Sequence, residues 1–364
     1  MAFRLTFAAM LLAVMTGCTR NEAQNLSALP DYKPSQQVTG VIRSCGNDQM
    51  ATLLKYWQEG FQKYHPKVQF QDWLKGSASG MYGLEMRTSD TALMGRPIGP
   101  FERYGIYERS WIFPIEIEVA TGAHEALHKS PAVAIFVHKD NPLTKLTVKQ
   151  LDGIFGAQRG GGWVGLSWND KAARGPEGNI RTWGQLGVQG PLADKPIHVY
   201  GQPNLGAGYV SFFEARVFGG GRIWNEDLRE YSDRTQMIAD LSQDPYGIAY
   251  AALGNKAAGV KPVALAETDA GPFVELTKSS VADRSYPLAR AAYIYYTIDN
   301  EKSELSETRG DPRVKEFLRY ILSKQGQQEV AREGVYLPLT PAVVQAQLQK
   351  IDSEESPWER EVLD

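Results

Sequence analysis

GVIRSCGNDQMATLLKYWQEGFQKYHP, Gly40 to Pro66, is the stretch on which the fold turns. A short apolar run, VIRSC, breaks at Gly46 and gives way to a longer segment of different period. Met50, Leu53, Leu54, Trp57 and Phe61 follow one another at i, i+3, i+4, i+7 and i+11, which places them on one face of a helix. His65-Pro66 ends that helix, because the residue before a proline is pushed out of the helical region. Asp48, in the intervening loop, is expected near the cap, where a carboxylate accepts the free N–H groups of a first turn. The unit is therefore strand, glycine loop, helix.

The unit recurs. PAVAIFVHK (131–139) leads into TVKQLDGIFG (147–156), and similar alternations continue along the chain, which implies α/β organisation with helices flanking mainly parallel sheets. At 364 residues, 43% hydrophobic and 22% charged, the chain is long enough for two cores. A formal net charge of −3 and a pI near 6.0 give no basic footprint for nucleic acid.

The N-terminus has its own pattern. Arg4 precedes LTFAAMLLAVMTG (5–17), the length of a secretory apolar core and too short for a membrane span. MTGC then reads as a lipobox with Cys18 as the lipidated first residue of the mature protein; an ordinary signal peptide is the alternative. With Cys18 acylated, Cys45 is the only thiol left and no internal disulfide can form. The expected division is a signal peptide over 1–17 and a flexible tether over 18–39, polar and carrying Pro30 and Pro34. QRGGGWVGLSWNDKAARGPEGNI (158–180), rich in glycine and charge, reads as an insertion or long surface loop.

Catalytic patterns are sparse. The five histidines form no HExxH, GSASG (76–80) has the wrong spacing for a nucleophile elbow, and the carboxylates are scattered, so neither an enzyme nor a cofactor nor a metal is expected. His124 and His128 would share a face on a helix, but nothing nearby supplies a third ligand. GxG within LGAGYV lacks the rest of a dinucleotide fingerprint. Anion binding has more to recommend it. Three glycine loops, CGNDQM (45–50), KGSASGMYGL (75–84) and PNLGAGYVSFF (203–213), each stand between an expected strand and helix, where backbone N–H groups and the positive helix end converge. SDTALMGRPIGPFE (89–102) adds Arg96, whose planar guanidinium suits an oxyanion.

From Gly40 to about Leu339 the chain resembles the phosphate-binding proteins of bacterial phosphate ABC importers, DING-type relatives included. The matching segments are GVIRSCGNDQM, WQEGFQKYHPKVQF, KGSASGMYGL, SDTALMGRPI, VAIFVHKDNPLTKLTVKQLDGIFG, PIHVYGQ, DPYGIAY, YPLARAAYIYY and GQQEVAREGVYLPL, in that order. The resemblance implies a two-lobed periplasmic-binding-protein-like fold of type II, each lobe a mixed sheet flanked by helices. Lobe 1 would hold 40–138 and about 275–345, lobe 2 would hold 139–274 with the insertion, and 346–364 would be a C-terminal tail.

It also implies a site made of Asn47, Asp48, Ser77, Ser79, Asp90, Arg96, Gly206, Ala207 and Gly208. Several positions depart from the family pattern. Asn47 and Gln49 replace hydroxyl residues, Gly95 stands where serine is common, Gln202 where relatives carry arginine, and Gly206-Ala207-Gly208 where they carry Ser-Gly-Thr. The expected function is a lipid-anchored periplasmic receptor that captures an oxyanion, inorganic phosphate by resemblance, for an ABC permease, with Asp48 or Asp90 accepting the proton of a protonated ligand. The alternative is an envelope interaction or accessory protein whose anion cleft is degenerate or repurposed.

Overall fold

The computed structural model describes residues 26–111, 113–164, 167–202, 208–298 and 310–356. Cys18, Gly206 and Ala207 lie outside them. The strands and helices sort into two lobes, each built around a five-stranded mixed sheet.

The first sheet has the order β2-β1-β3-β14-β4, formed by β1 (Gly40–Gly46), β2 (Val68–Leu74), β3 (Thr91–Met94), β4 (Ile115–Thr121) and β14 (Ala291–Tyr296). β1 runs parallel to β2 and β3, whereas β14 runs antiparallel to β3 and β4. Both faces are covered, so β14 reads as an unbroken buried run, AAYIYY. Ala292, Ile294 and Tyr296 enter one core beside α1 (Ala51–Gln62), α8 (Pro312–Leu322), α9 (Lys324–Glu333) and α10 (Pro341–Ser353). Ala291, Tyr293 and Tyr295 enter the other, beside α2 (Ser77–Glu85) and α3 (Pro100–Ser110). Met50, Leu53, Leu54, Trp57 and Phe61 are all buried, so the predicted stripe is the packing face of α1. Burying each such side chain is worth about 1.5–3 kcal/mol.

The second sheet, β10-β9-β11-β5-β12, contains β5 (Val133–His138), β9 (His198–Gly201), β10 (Arg229–Glu230), β11 (Gly247–Ala252) and β12 (Val260–Pro262). On one side lie α4 (Val148–Phe155), α5 (Gly208–Val217) and α7 (Lys278–Ala282); Met237, Ile238 and Leu241 of α6 (Arg234–Leu241) cover the other. Two small sheets complete the lobe, β6 (Lys145–Thr147) with β13 (Ala264–Ala266), and the hairpin β7 (Gly162–Val164) with β8 (Ser167–Asn169). The hairpin occupies the glycine-rich insertion. Asp152 holds its base through a bidentate pair with Arg159 and a contact to Arg174, while Trp163 and Trp168 meet edge to face at 5.6 Å on the surface.

Four boundaries differ from those expected. Residues 26–39 are packed against lobe 1: Leu29, Tyr32 and Val38 are buried, and the Tyr32 hydroxyl donates to Glu316 at 2.9 Å and meets His65 Nε2 at 2.7 Å. Residues 133–138 belong to the second sheet, because β5 pairs with β11. The return to lobe 1 comes later than 275, since Val281, Tyr286 and Leu288 are still in the lobe 2 core. Residues 346–353 continue α10, whose Gln347 and Ile351 are buried, and do not form a free tail.

Two crossing segments connect the lobes side by side. Gly122 N–H donates to Arg290 O at 2.8 Å and Val133 N–H to Leu288 O at 3.1 Å. Gly122 is required there: a Cβ would lie 2.0 Å from Ser130 O. Lys129 and Ser130 turn the first crossing with φ of +100° and +52°.

Candidate functional site

Parallel strands deliver their following loops to one end of a sheet, and ligands of open α/β sheets collect there. In lobe 1 that end carries the loops after β1, β2 and β3. Gly46, at φ +132°, lets the first loop turn against β3; a Cβ would lie 2.2 Å from Leu93 O. Asn47, not Asp48, caps the turn that opens α1, its Oδ1 accepting Gln49 N–H at 3.0 Å. Asp48 is thereby left exposed at the mouth of the cleft. Gly76, at φ +90°, starts α2, and Ser77 Oγ accepts Gly95 N–H at 3.2 Å, tying the second loop to the third.

These loops face lobe 2 across a cleft of about 360 Å³. Lobe 1 contributes Asn47, Asp48, Gln49, Gly76, Ser77, Ala78, Gly95 and Arg96; the crossings contribute Ser130 and Arg290; lobe 2 contributes Gly208, Tyr209 and Arg234. First-turn amides of a helix have no intrahelical acceptor, and the starts of α2 and α5 both reach this space.

The expected site residues therefore part company. Asn47, Asp48, Ser77, Arg96 and Gly208 come together on the cleft. Ser79 Oγ donates back to Gly76 O at 2.8 Å, within its own helix start, and does not line the cleft. Asp90 precedes β3 and so sits at the opposite end of the strand from Gly95. It accepts from Arg43 Nη2 at 2.7 Å and from Arg43 N–H at 2.8 Å, beside a separate depression of about 630 Å³ whose other ion pair is Arg313–Asp311.

Arg96 is at the cleft but engaged. Its guanidinium forms a two-point pair with Glu102 at 2.6 and 2.7 Å, and its stem packs on the start of α5, where a Cβ on Gly208 would lie 3.1 Å from three of its carbons. Glycine at 208 thus allows the two lobes to touch.

Residues that sequence reasoning missed supply the uncompensated charge. Arg290 is 6% exposed, donates to Gly95 O at 2.6 Å, and leaves Nε without an acceptor. Burial pushes its guanidinium down to about 10, a sign of a cation held without a counter-charge. Arg234 donates from Nε to Gln202 Oε1 at 2.7 Å. Both guanidiniums lie near the Tyr209 ring, at 5.0 Å for Arg234 and 5.7 Å for Arg290. Tyr209 is buried with its hydroxyl unpartnered, and burial raises its pKa well above the usual value, so it remains a donor. Ser130 Oγ also donates to Gly95 O, at 3.0 Å. The one legible signal was Arg290 itself, a cation directly before the apolar run AAYIYY; Arg234, after the cap Asp233, looks like any surface helix start.

His124 and His128 are in the bends of the first crossing, not on a helix. Among the described residues no cluster of three or more His, Cys, Asp or Glu could hold a metal. No helix among them is long and apolar enough to cross a membrane.

Two mixed sheets joined by adjacent crossings, with loops from both lobes around a central cleft, define a two-lobed solute-binding protein. The PBP superfamily domain matches residues 33–325. The chain is 30% identical over 348 residues to the phosphate-binding protein PstS of Pseudomonas aeruginosa, covering 96% of this chain and 98% of that one. It is 24% identical to the PstS of Staphylococcus saprophyticus, over 82% of this chain and 81% of the relative. Among solved structures, PstS from Borrelia burgdorferi aligns with a TM-score of 0.52 at 17% identity, over 82% of this chain and 99% of its own. An ABC-type phosphate transport receptor from Vibrio cholerae aligns with a TM-score of 0.51 at 19% identity, over 81% and 99%. The chain belongs to the phosphate-binding family of periplasmic solute-binding proteins, a family of receptors and not of enzymes.

Proposed function

We propose that this protein captures an oxyanion, inorganic phosphate, between its lobes and delivers it to an ABC permease, held to the bacterial envelope by a lipid on Cys18. The observation that carries the reading is the cleft itself, where Asn47, Ser77 and the starts of α2 and α5 converge and the buried charge is positive. Near-complete coverage of a protein named for phosphate binding supports the same ligand. No catalytic step is needed. Backbone amides, Ser77 and the guanidiniums donate to the phosphate oxygens, and Asp48 accepts the proton of monoprotonated phosphate, which sulfate lacks. Apposition of Gly208 and Arg96 closes the lobes over the ligand.

Titration calorimetry of the full-length protein with phosphate, arsenate and sulfate tests this. Phosphate binding at micromolar concentration or tighter, with sulfate much weaker, is the expected result; no heat with any of the three anions refutes it. In that event the exposed Trp163–Trp168 hairpin would favour the second reading, an envelope interaction protein with a repurposed cleft.

A further inference from the structure

The cleft presents a charge problem that its family resemblance does not explain. In relatives the lobe 2 cation is expected at position 202, but Gln202 is there, buried, with its N–H on the Tyr250 hydroxyl at 3.1 Å. Arg96, the cation expected from lobe 1, is neutralised by Glu102. A binding site stripped of cations would leave the Asp48 carboxylate facing an anion with nothing to oppose it. The structure instead holds two guanidiniums there, Arg234 and Arg290, and no carboxylate lies within ion-pair distance of either among the described residues.

We propose that Arg234 and Arg290 form the anion's charge clamp in this chain, with the Tyr209 hydroxyl as a third donor between them, so that Arg234 takes over the cation's place left by Gln202. The proposal rests on the reading of the cleft as an oxyanion site. Gln202 is not a bare loss in this arrangement. Its side-chain carbonyl fixes Arg234 Nε at 2.7 Å, which leaves the terminal nitrogens of this cleft-lining arginine, in the first turn of α6, free of that bond.

Arg290 belongs to the crossing segment and is anchored by Gly95 O, so it is fixed relative to the lobe 1 loops. Arg234 belongs to lobe 2. An anion bound to both therefore joins the lobes by charge. Two like charges in one partly enclosed space repel each other and carry a desolvation cost, most severe for the buried Arg290. A ligand that relieves both at once bears two negative charges on separate oxygens and accepts from at least three donors, which describes a tetrahedral dianion. The unpartnered Arg290 Nε and Tyr209 hydroxyl, both on buried side chains, are the polar atoms such a ligand would satisfy.

The test is calorimetry of the full-length protein with inorganic phosphate, comparing Arg234→Gln, Arg234→Lys, Tyr209→Phe and Arg96→Gln made together with Glu102→Gln, with thermal melting to check each fold. Loss of one charge-assisted donor pair should weaken phosphate by about tenfold to a hundredfold in Arg234→Gln, with Arg234→Lys recovering part of the loss and Tyr209→Phe weaker than the wild-type protein. Arg290→Lys extends the comparison if it keeps its melting transition; Arg234, which is only partly buried, carries the test otherwise. Affinity in Arg234→Gln within about twofold of wild type, the scatter of an ordinary surface change, overturns the clamp while leaving phosphate capture intact. A larger loss in Arg96→Gln made together with Glu102→Gln, so that no bare carboxylate is left at the cleft, than in Arg234→Gln returns the cation's role to Arg96 and also overturns it. A wild-type protein that binds no oxyanion overturns the functional reading and the clamp with it.

Discussion

Replacing Glu102 by glutamine separates the structural role of Arg96 from a ligand-binding one. Glu102 does two things: Oε1 and Oε2 pair with Arg96 at 2.7 and 2.6 Å, and Oε2 also accepts Gly99 N–H at 2.8 Å at the start of α3. Glutamine keeps one oxygen for the Gly99 amide and removes the anion, so the substitution isolates the ion pair. The side chains are 11% and 24% exposed, between the limits of a surface pair and a sealed one. Breaking a fully buried pair costs about 3–5 kcal/mol and an exposed pair about 0–1, which places this loss at about 2 kcal/mol. For a protein of this size that is a fall of about 3 °C in Tm. Scanning calorimetry reads the stability, and phosphate titration reads the site. With Glu102 gone, the guanidinium bordering the cleft is no longer neutralised, so phosphate should bind somewhat more tightly even as Tm falls. An unchanged Tm would refute the ion pair's structural weight. Affinity that drops with Tm would refute the separation of Arg96 from the ligand.

Three other outcomes follow from named contacts. Gly46→Ala should destabilise lobe 1 by on the order of 3 kcal/mol, because the residue is at φ +132° and the new Cβ would meet the Leu93 carbonyl oxygen; chemical denaturation checks it. Asp48→Asn should narrow the preference for phosphate over sulfate, read by competitive calorimetry, since an amide can donate to sulfate where a carboxylate repels it. Stability should fall on acidification through the ordinary histidine value of 6.5, because burial holds His65 below it in the folded state. The unfolded chain then binds the proton first, so the contribution of neutral His65 is present above 6.5 and is lost as pH falls toward the depressed folded value. Melting curves between about pH 8 and about pH 5 should show the slope, and His65→Gln should flatten it.

Elements governed by local period were legible in the sequence, and those governed by distant partners were not. The α1 stripe and the loops at Gly46 and Gly76 follow from spacing and glycine placement. Leu29, Tyr32 and Val38 are isolated apolar residues in a polar stretch with two prolines, so no period marks them. Tyr32 is held by α8 and α9, nearly three hundred residues away, through Glu316 and Gln325. The family resemblance placed Asp90 at the site with Arg96, yet a strand sets the two at its opposite ends, and the partner of Asp90 is Arg43. The charge of the cleft was hidden for a related reason. Arg234 and Arg290 come from segments far apart in sequence, and only the folded lobes set them beside one ring, Tyr209.

A crystal structure grown with inorganic phosphate is the most direct measurement of whether this cleft is the capture site. The anion should lie between the Asn47 and Ser77 loops and Arg290 and Arg234, within hydrogen-bond distance of the Tyr209 hydroxyl, with Arg96 still on Glu102. A phosphate bound instead beside Asp90 and Arg43, or a cleft left without the anion when phosphate saturates the protein in solution, would contradict the account.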